Sequence, residues 1–231
     1  MRKFGLSIVT AMFLTTVAGM AGGSVAVAPS AVEWSGPYIG VQAGYIWGDT
    51  DVDYDDGDYF SRGIGVDGSS VGIYGGYNWL IDDQWLLGFE GDWNNDSGKG
   101  QDREYYRNGL YDGTSNKVTQ KWDASLRLRV GAVMGKFLPY ITGGIAWTRV
   151  NAQNIWDLWN HRTWDSYMTL HGWTVGLGLE MALSKNFHLR LQYRYTDYRS
   201  KTKDVEIGGT VYRQRVNYDT NRVSIGFSYR F

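Results

Sequence analysis

From about residue 38 onward, apolar side chains recur at every second position in eight separate stretches. That spacing belongs to strands with one apolar face. The fourth stretch is the plainest: Trp122, Ala124, Leu126, Leu128 and Val130 alternate with Asp123, Ser125, Arg127, Arg129 and Gly131. The first sets Ile39, Val41, Ala43, Tyr45 and Trp47 against Gly40, Gln42 and Gly44. The second sets Val71, Ile73, Gly75, Tyr77 and Trp79 against Gly72, Tyr74, Gly76 and Asn78. The third runs Trp85, Leu87, Phe89, Gly91, Trp93 over Leu86, Gly88, Glu90 and Asp92. The sixth places Trp173, Val175, Leu177, Leu179 and Met181 opposite Thr174, Gly176, Gly178 and Glu180. The seventh opposes Phe187, Leu189, Leu191, Tyr193 and Tyr195 to His188, Arg190, Gln192 and Arg194. The last opposes Val223, Ile225, Phe227, Tyr229 and Phe231 to Arg222, Ser224, Gly226, Ser228 and Arg230. Only the fifth, about Pro139 to Val150, leaves its facing open, because Tyr140, Ile141, Ile145 and Trp147 do not share one parity.

Each stretch is about 9–11 residues, the length of a tilted strand crossing a bilayer. Short connections at Ile81–Gln84, Met134–Phe137 and Ser184–Asn186 interleave with long polar ones near Gly48–Ser70, Asn94–Gln120, Asn151–Leu170 and Arg199–Asp219. A soluble sandwich does not sort its connections by length so regularly. The aromatic positions agree. With odd strands running outward, Tyr38, Trp85, Tyr140, Phe187, Trp79, Tyr229 and Phe231 gather at one rim, and Trp47, Trp93, Trp122, Trp147, Trp173 and Tyr195 at the other. Two aromatic belts around an aliphatic band are the interfacial girdles of membrane barrels. The pattern predicts an all-β fold: an eight-stranded antiparallel up-and-down transmembrane β-barrel with short periplasmic turns and four long external loops. Its place is the outer membrane of a Gram-negative bacterium.

Composition changes the picture at three points. The chain has 231 residues with no Cys, which removes disulfides, thiolate metal sites and a thiol nucleophile. Lys and Arg total 23 against 24 acids, giving no basic excess for nucleic acid. The start, Met1-Arg2-Lys3, an apolar run to Met20 and the small residues Ala21 to Ala28, predicts a secretory signal peptide over 1–28, cleaved after Ala26 or Ala28. The barrel then occupies 29–231.

The face opposite the apolar band predicts the lumen. It carries Glu90, Asp92, Asp123 and Glu180 as acids and Arg127, Arg129, Arg190, Arg194, Arg222 and Arg230 as bases, with His188 nearby. Eight strands enclose a space just wide enough for side chains to fill. Unpaired buried charge is costly, so a structural ion-pair network is expected rather than an ion path. The turn Ser184–Asn186 sets Leu183 opposite Phe187 and so Glu180 opposite Arg190, which predicts a cross-strand ion pair between them.

Trp34-Ser35-Gly36-Pro37-Tyr38-Ile39-Gly40 resembles the opening motif of the small alphaproteobacterial outer-membrane β-barrel proteins, porin-like surface antigens that include haemin-binding members. Thr142-Gly143-Gly144-Ile145-Ala146, Gly172-Trp173-Thr174-Val175-Gly176 and the ending Ser228-Tyr229-Arg230-Phe231 are similar to its later motifs. Pro37 stands where that family often has an aromatic residue. The resemblance spans Trp34 to Phe231 but not the long loops. It implies an abundant envelope protein supporting surface integrity, with Tyr229 and Phe231 as the signal read by the outer-membrane barrel assembly machinery. The expected surroundings are outer-membrane lipid and lipopolysaccharide, and the expected state is a monomer. No motif carries haemin binding across residue by residue.

Any more specific activity falls to the loops. Asp49, Asp51, Asp53, Asp55, Asp56 and Asp58 crowd the first, but Asp56 stands where a calcium loop needs Gly, so a solvated acidic hairpin is expected and no metal. The third holds Trp156, Trp159, His161, Arg162 and Trp164, types that could stack on a sugar, a host surface or haemin, with His161 as axial ligand. Rings packed on the barrel rim are the plainer expectation, and no cofactor is required. No GxSxG, HExxH or phosphate-loop motif occurs, so no enzyme is expected. Three functions remain: a structural envelope protein, a ligand-binding surface protein or adhesin, and a narrow diffusion channel.

Overall fold

The computed structural model describes residues 32–54, 59–106, 111–156, 162–207 and 210–231. The signal peptide expected over 1–28 lies outside them. The described chain is strand almost throughout: β1 (Gly36–Tyr54), β2 (Tyr59–Leu80), β3 (Trp85–Asp96), β4 (Lys99–Tyr106), β5 (Tyr111–Ala132), β6 (Phe137–Trp156), β7 (Arg162–Ala182), β8 (Phe187–Ile207) and β9 (Thr210–Arg230). Every pairing is antiparallel, and β1 pairs with both β2 and β9, which closes the barrel. β4 continues β3, since both lie between β2 and β5. The wall therefore has eight staves.

The break between β3 and β4 has a packing reason. A Cβ on Gly98 would come within 2.8 Å of Ile46 and 3.2 Å of Val66, so the chain turns close against the interior there. Backbone bonds bridge the gap, with Ser97 N–H donating to Ser69 and Gln120 N–H to Gly98, each at 2.9 Å. The short turns fall where the alternation stops, at 81–84, 133–136 and 183–186. Gly135 in the second has φ +62°, a left-handed conformation that glycine adopts without strain.

The polar stretches expected as long loops are mostly strand. β2 and β5 are 22 residues long and β7, β8 and β9 are 21 each, about twice what a bilayer crossing needs. The external half is thus a rise of paired ribbons above the membrane. Backbone pairing continues outward regardless of hydrophobicity, because each ladder satisfies its own amides.

β6 resolves the facing left open: Ile141, Ile145 and Trp147 are exposed, while Tyr140, Thr142, Ala146, Thr148 and Val150 are buried. Two rings expected at the girdle are inside the barrel. Tyr38 (3% exposed) has the inward parity of Gly40 and Gln42 and donates its hydroxyl to Glu90 at 2.9 Å. Tyr140 (4% exposed) lies over Gly178, where any Cβ would sit 2.4 Å from the ring. Trp79, Trp85, Trp93, Trp47, Trp147, Trp173, Phe187, Tyr229 and Phe231 are exposed on the outer face.

Candidate functional site

The barrel interior is built in three tiers. At the periplasmic end the segment before β1 folds across the mouth and inserts Trp34, which packs with Leu86, Leu138 and Ala182. Its indole N–H donates to the Gly135 carbonyl at 3.2 Å, its ring meets His188 at 4.9 Å, and its carbonyl accepts from Arg230. Aromatic area closed over by hydrogen-bonded ends makes a firm stopper.

Above it, among the described residues, five buried carboxylates and six buried arginines fill the bilayer-level lumen. They form one continuous alternating ladder. Arg230 faces Glu180 at 3.5 Å, Glu180 pairs with Arg129 at 2.8 Å, and Arg129 reaches Glu90 at 3.6 Å. Glu90 receives Arg190 and Arg127, each at 2.6 Å. Arg127 also binds Asp92, Asp92 binds Arg194 at 2.9 Å, and Arg194 binds Asp123. Arg222 closes the ladder between Asp123 at 2.7 Å and Asp96 at 2.8 Å. Neutral groups occupy the spaces: Arg190 donates to Gln42, Gln192 donates to the Tyr140 hydroxyl at 3.2 Å, and Ser125 donates to Asp92 at 2.8 Å. Guanidinium planes lie over tyrosine rings, Arg190 at 3.4 Å from the Tyr74 centroid and Arg129 at 3.9 Å from Tyr140. Each buried charge is met by an opposite one, which offsets the cost of leaving water.

The structure thus gathers Glu90, Asp92, Asp123, Arg127, Arg129, Glu180, Arg190, Arg194 and Arg222 into one cluster. The predicted Glu180–Arg190 ion pair does not form. The register does set the two opposite each other, but Arg190 crosses the lumen to Glu90 while Glu180 turns to Arg129 and Arg230. In a closed barrel inward side chains converge, so partners across the lumen compete with those on the next strand. Sequence reasoning set Gln42 and Tyr74 on the inward face but gave them no part in the network, and it missed Asp96 and the Trp34 stopper. Asp96 carries on the parity of Glu90, Asp92 and Asn94, so extending the third strand by one turn of the pleat would have found it.

The third tier lies beyond the outer girdle and is apolar: Val66, Val118, Ala146, Val150, Met168, Leu170, Tyr198 and Tyr218 form one buried cluster. Tyr198 and Tyr218 stack at 5.6 Å, and Tyr218 donates its hydroxyl to Gln120.

In the hairpin between β6 and β7, Trp156 pairs with Arg162 and Asn154 with Trp164 across the ribbon. Trp159 and His161 lie outside the described residues. On β1, Asp49, Asp51 and Asp53 pair with Asp219, Asn217 and Arg215 of β9; Asp55, Asp56 and Asp58 lie outside the described residues. Among the described residues no group of three ligating side chains converges on a metal-sized site.

Comparison with known proteins agrees with this geometry. The family model described as outer membrane protein beta-barrel domain matches residues 15–231. The chain is 32% identical to the 31 kDa outer-membrane immunogenic protein of Brucella melitensis, over the whole of both chains. It is 33% identical to the 22 kDa outer membrane protein of Rhizobium leguminosarum, over 86% of this chain and 78% of that one. Among solved structures, OprG from Pseudomonas aeruginosa is similar in fold, with a TM-score of 0.56 at 15% identity, covering 87% of this chain and 99% of that one.

Proposed function

The chain belongs to the outer-membrane β-barrel domain family and resides in the outer membrane, and from that premise we propose that it is a structural envelope protein. Its barrel stiffens the membrane and its outer ribbons form the exposed surface. The observation carrying this reading is the continuous ladder from Arg230 to Asp96, shut at both ends by apolar tiers. An ion entering would have to break paired charges in sequence, then pass a layer of packed, mostly apolar side chains. A diffusion channel is accordingly set aside, and planar-bilayer recordings of the purified barrel are expected to show no stepwise conductance. Steps that vanish on enlarging Gly178 would sink the structural reading.

No catalysis is assigned, because the lumen charges are consumed by one another and the Brucella relative is named an outer-membrane immunogenic protein. No cofactor is assigned either. We take Tyr229 and Phe231, two exposed rings edge-to-face at 5.1 Å at the end of β9 and just past it, as the feature the barrel assembly machinery would meet, and the working unit as a monomer. The role is tested in a deletion strain sensitive to detergent. A barrel whose four ribbons are cut back to short turns is expected to restore resistance; failure despite normal insertion would transfer the function to the ribbons.

A second reading, recognition by the β6–β7 ribbon, is favoured by its register. The backbone register sets Trp156 opposite Arg162, the last pair described before the tip. If haemin is the ligand, His161→Ala abolishes its Soret shift; unchanged binding ends the haemin version.

A further inference from the structure

One step beyond the outer aromatic girdle, the outward-facing side chains are sorted by charge around the barrel. On one side, β6 carries Arg149 two residues past Trp147, and β7 carries His171 two residues before Trp173. β5 carries Lys121 beside Trp122, in the bulge where the register shifts between Gln120 and Trp122. These lie together, since Trp122 pairs with Arg149 and Trp147 with His171, and Lys121, Arg149 and His171 are all exposed. On the other side, β8 carries Asp197 two residues past Tyr195, and β1 carries Asp49 two residues past Trp47. Between them Asp219 of β9 pairs with both Asp197 and Asp49, and Asp67 of β2 pairs with Trp47.

The wall gains nothing from this sorting. Like charges on directly opposed residues weaken a sheet, so an alternating rim would be more stable. What sorting creates is a field of one sign on each side, at the depth of lipid headgroups. On the basic side the Arg149 guanidinium lies 5.2 Å from the Tyr167 ring, which holds it at the rim. Directly below, the exposed rings of Trp147 and Trp173 offer flat apolar surface at acyl-chain depth. Cations above and indoles below match a lipid with phosphate on its headgroup and chains beneath.

We propose that Lys121, Arg149 and His171 form a direct docking site for the phosphates of an outer-leaflet phosphoglycolipid, the lipid A class. The Asp197–Asp219–Asp49 side repels the same phosphates, so the barrel orders its lipid shell on one side only. This rests on outer-membrane residence and not on the envelope role, so either can fail alone.

The test uses the whole mature barrel, folded in micelles with EDTA present so that no divalent ion bridges acids to phosphate. Native mass spectrometry follows adducts with bisphosphorylated lipid A and with its dephosphorylated form. The parent is expected to keep the phosphorylated lipid, and the Lys121→Gln/Arg149→Gln variant to bind it about thirtyfold less tightly, the loss for two basic residues at a charged lipid surface. Lys121→Arg/Arg149→Lys retains binding, and Asp49→Asn/Asp67→Asn binds at least as tightly as the parent. Heat-modifiable migration on gels confirms that each variant is folded. Equal retention of the dephosphorylated lipid, or a folded double Gln variant that binds like the parent, overturns the proposal. So does a parent dimer that the double Gln substitution dissolves, since the basic side would then belong to a second copy.

Discussion

The barrel changes character at its outer girdle. Below it, the outside is apolar and the inside charged: Ile141 and Ile145 face lipid while Arg127, Arg129 and Glu180 fill the lumen. Above it, the same strands with the same facing carry Val150, Met168 and Leu170 inside and Arg149, Thr169 and His171 outside. The lower half is inside-out; just above the girdle the described side chains have the sense of an ordinary water-facing β-barrel, apolar within and polar without. Facing is fixed by the pleat, whereas polarity is fixed by what each face meets, lipid below and water above. One continuous strand thus serves two solvents.

The widest separation between the halves is expected from losing a charge in the lower one. Glu90 pairs with both Arg127 and Arg190 at 2.6 Å and accepts from Tyr38. Glu90→Leu leaves the buried Arg190 guanidinium without a carboxylate, with only the neutral Gln42 to accept from it, and is expected to cost about 3–5 kcal/mol, read from urea unfolding in lipid vesicles. A variant as stable as the parent would mean that water, not the ladder, solvates the lumen.

In the upper half the corresponding loss is of apolar volume. Leu170→Ala removes a side chain 1% exposed and is expected to cost about 2–3 kcal/mol, since the ribbons can partly collapse onto the cavity. Its effect should be confined: limited proteolysis cuts the ribbons faster while the membrane-level fragment stays protected. If the whole barrel destabilises together, the halves are one cooperative unit and the contrast is only chemical.

The phase change at the girdle also explains how much of the fold could be read from sequence. Period-two alternation gave the eight crossings, their facing and the short turns, because lipid enforces an apolar outer face over each whole span. It lost the strands above the girdle, where the apolar residues of β7 move from Trp173 and Val175 to Met168 and Leu170. Read as one periodic signal, that slip looks like the end of a strand. The lumen charges were legible for the same reason of parity, but their partners were not. Adjacent-strand logic assigned Arg190 to Glu180; the lumen joined it to Glu90. A double-mutant cycle separates the two: Glu90–Arg190 should couple by about 1–3 kcal/mol and Glu180–Arg190 by less than about 0.5 kcal/mol. Equal coupling would restore the cross-strand pair.

The smallest effect is the sharpest comparison, because it makes one chemical change on the two faces of a single strand. Tyr38 and Tyr45 both belong to β1 and both donate to a carboxylate, Tyr38 to Glu90 at 2.9 Å in the lumen and Tyr45 to Asp67 at 2.6 Å on the exposed rim. Tyr38→Phe removes a buried donor to a charged acceptor, an expected loss of about 1.5–3 kcal/mol. Tyr45→Phe removes a bond that water replaces on both partners, so its unfolding curve should overlay that of the parent. The distances alone rank the two bonds the other way. Should Tyr45→Phe prove the more damaging, the rim carboxylates would be shielded from water, and the acidic side of the girdle would have to be counted with the lumen rather than with the surface.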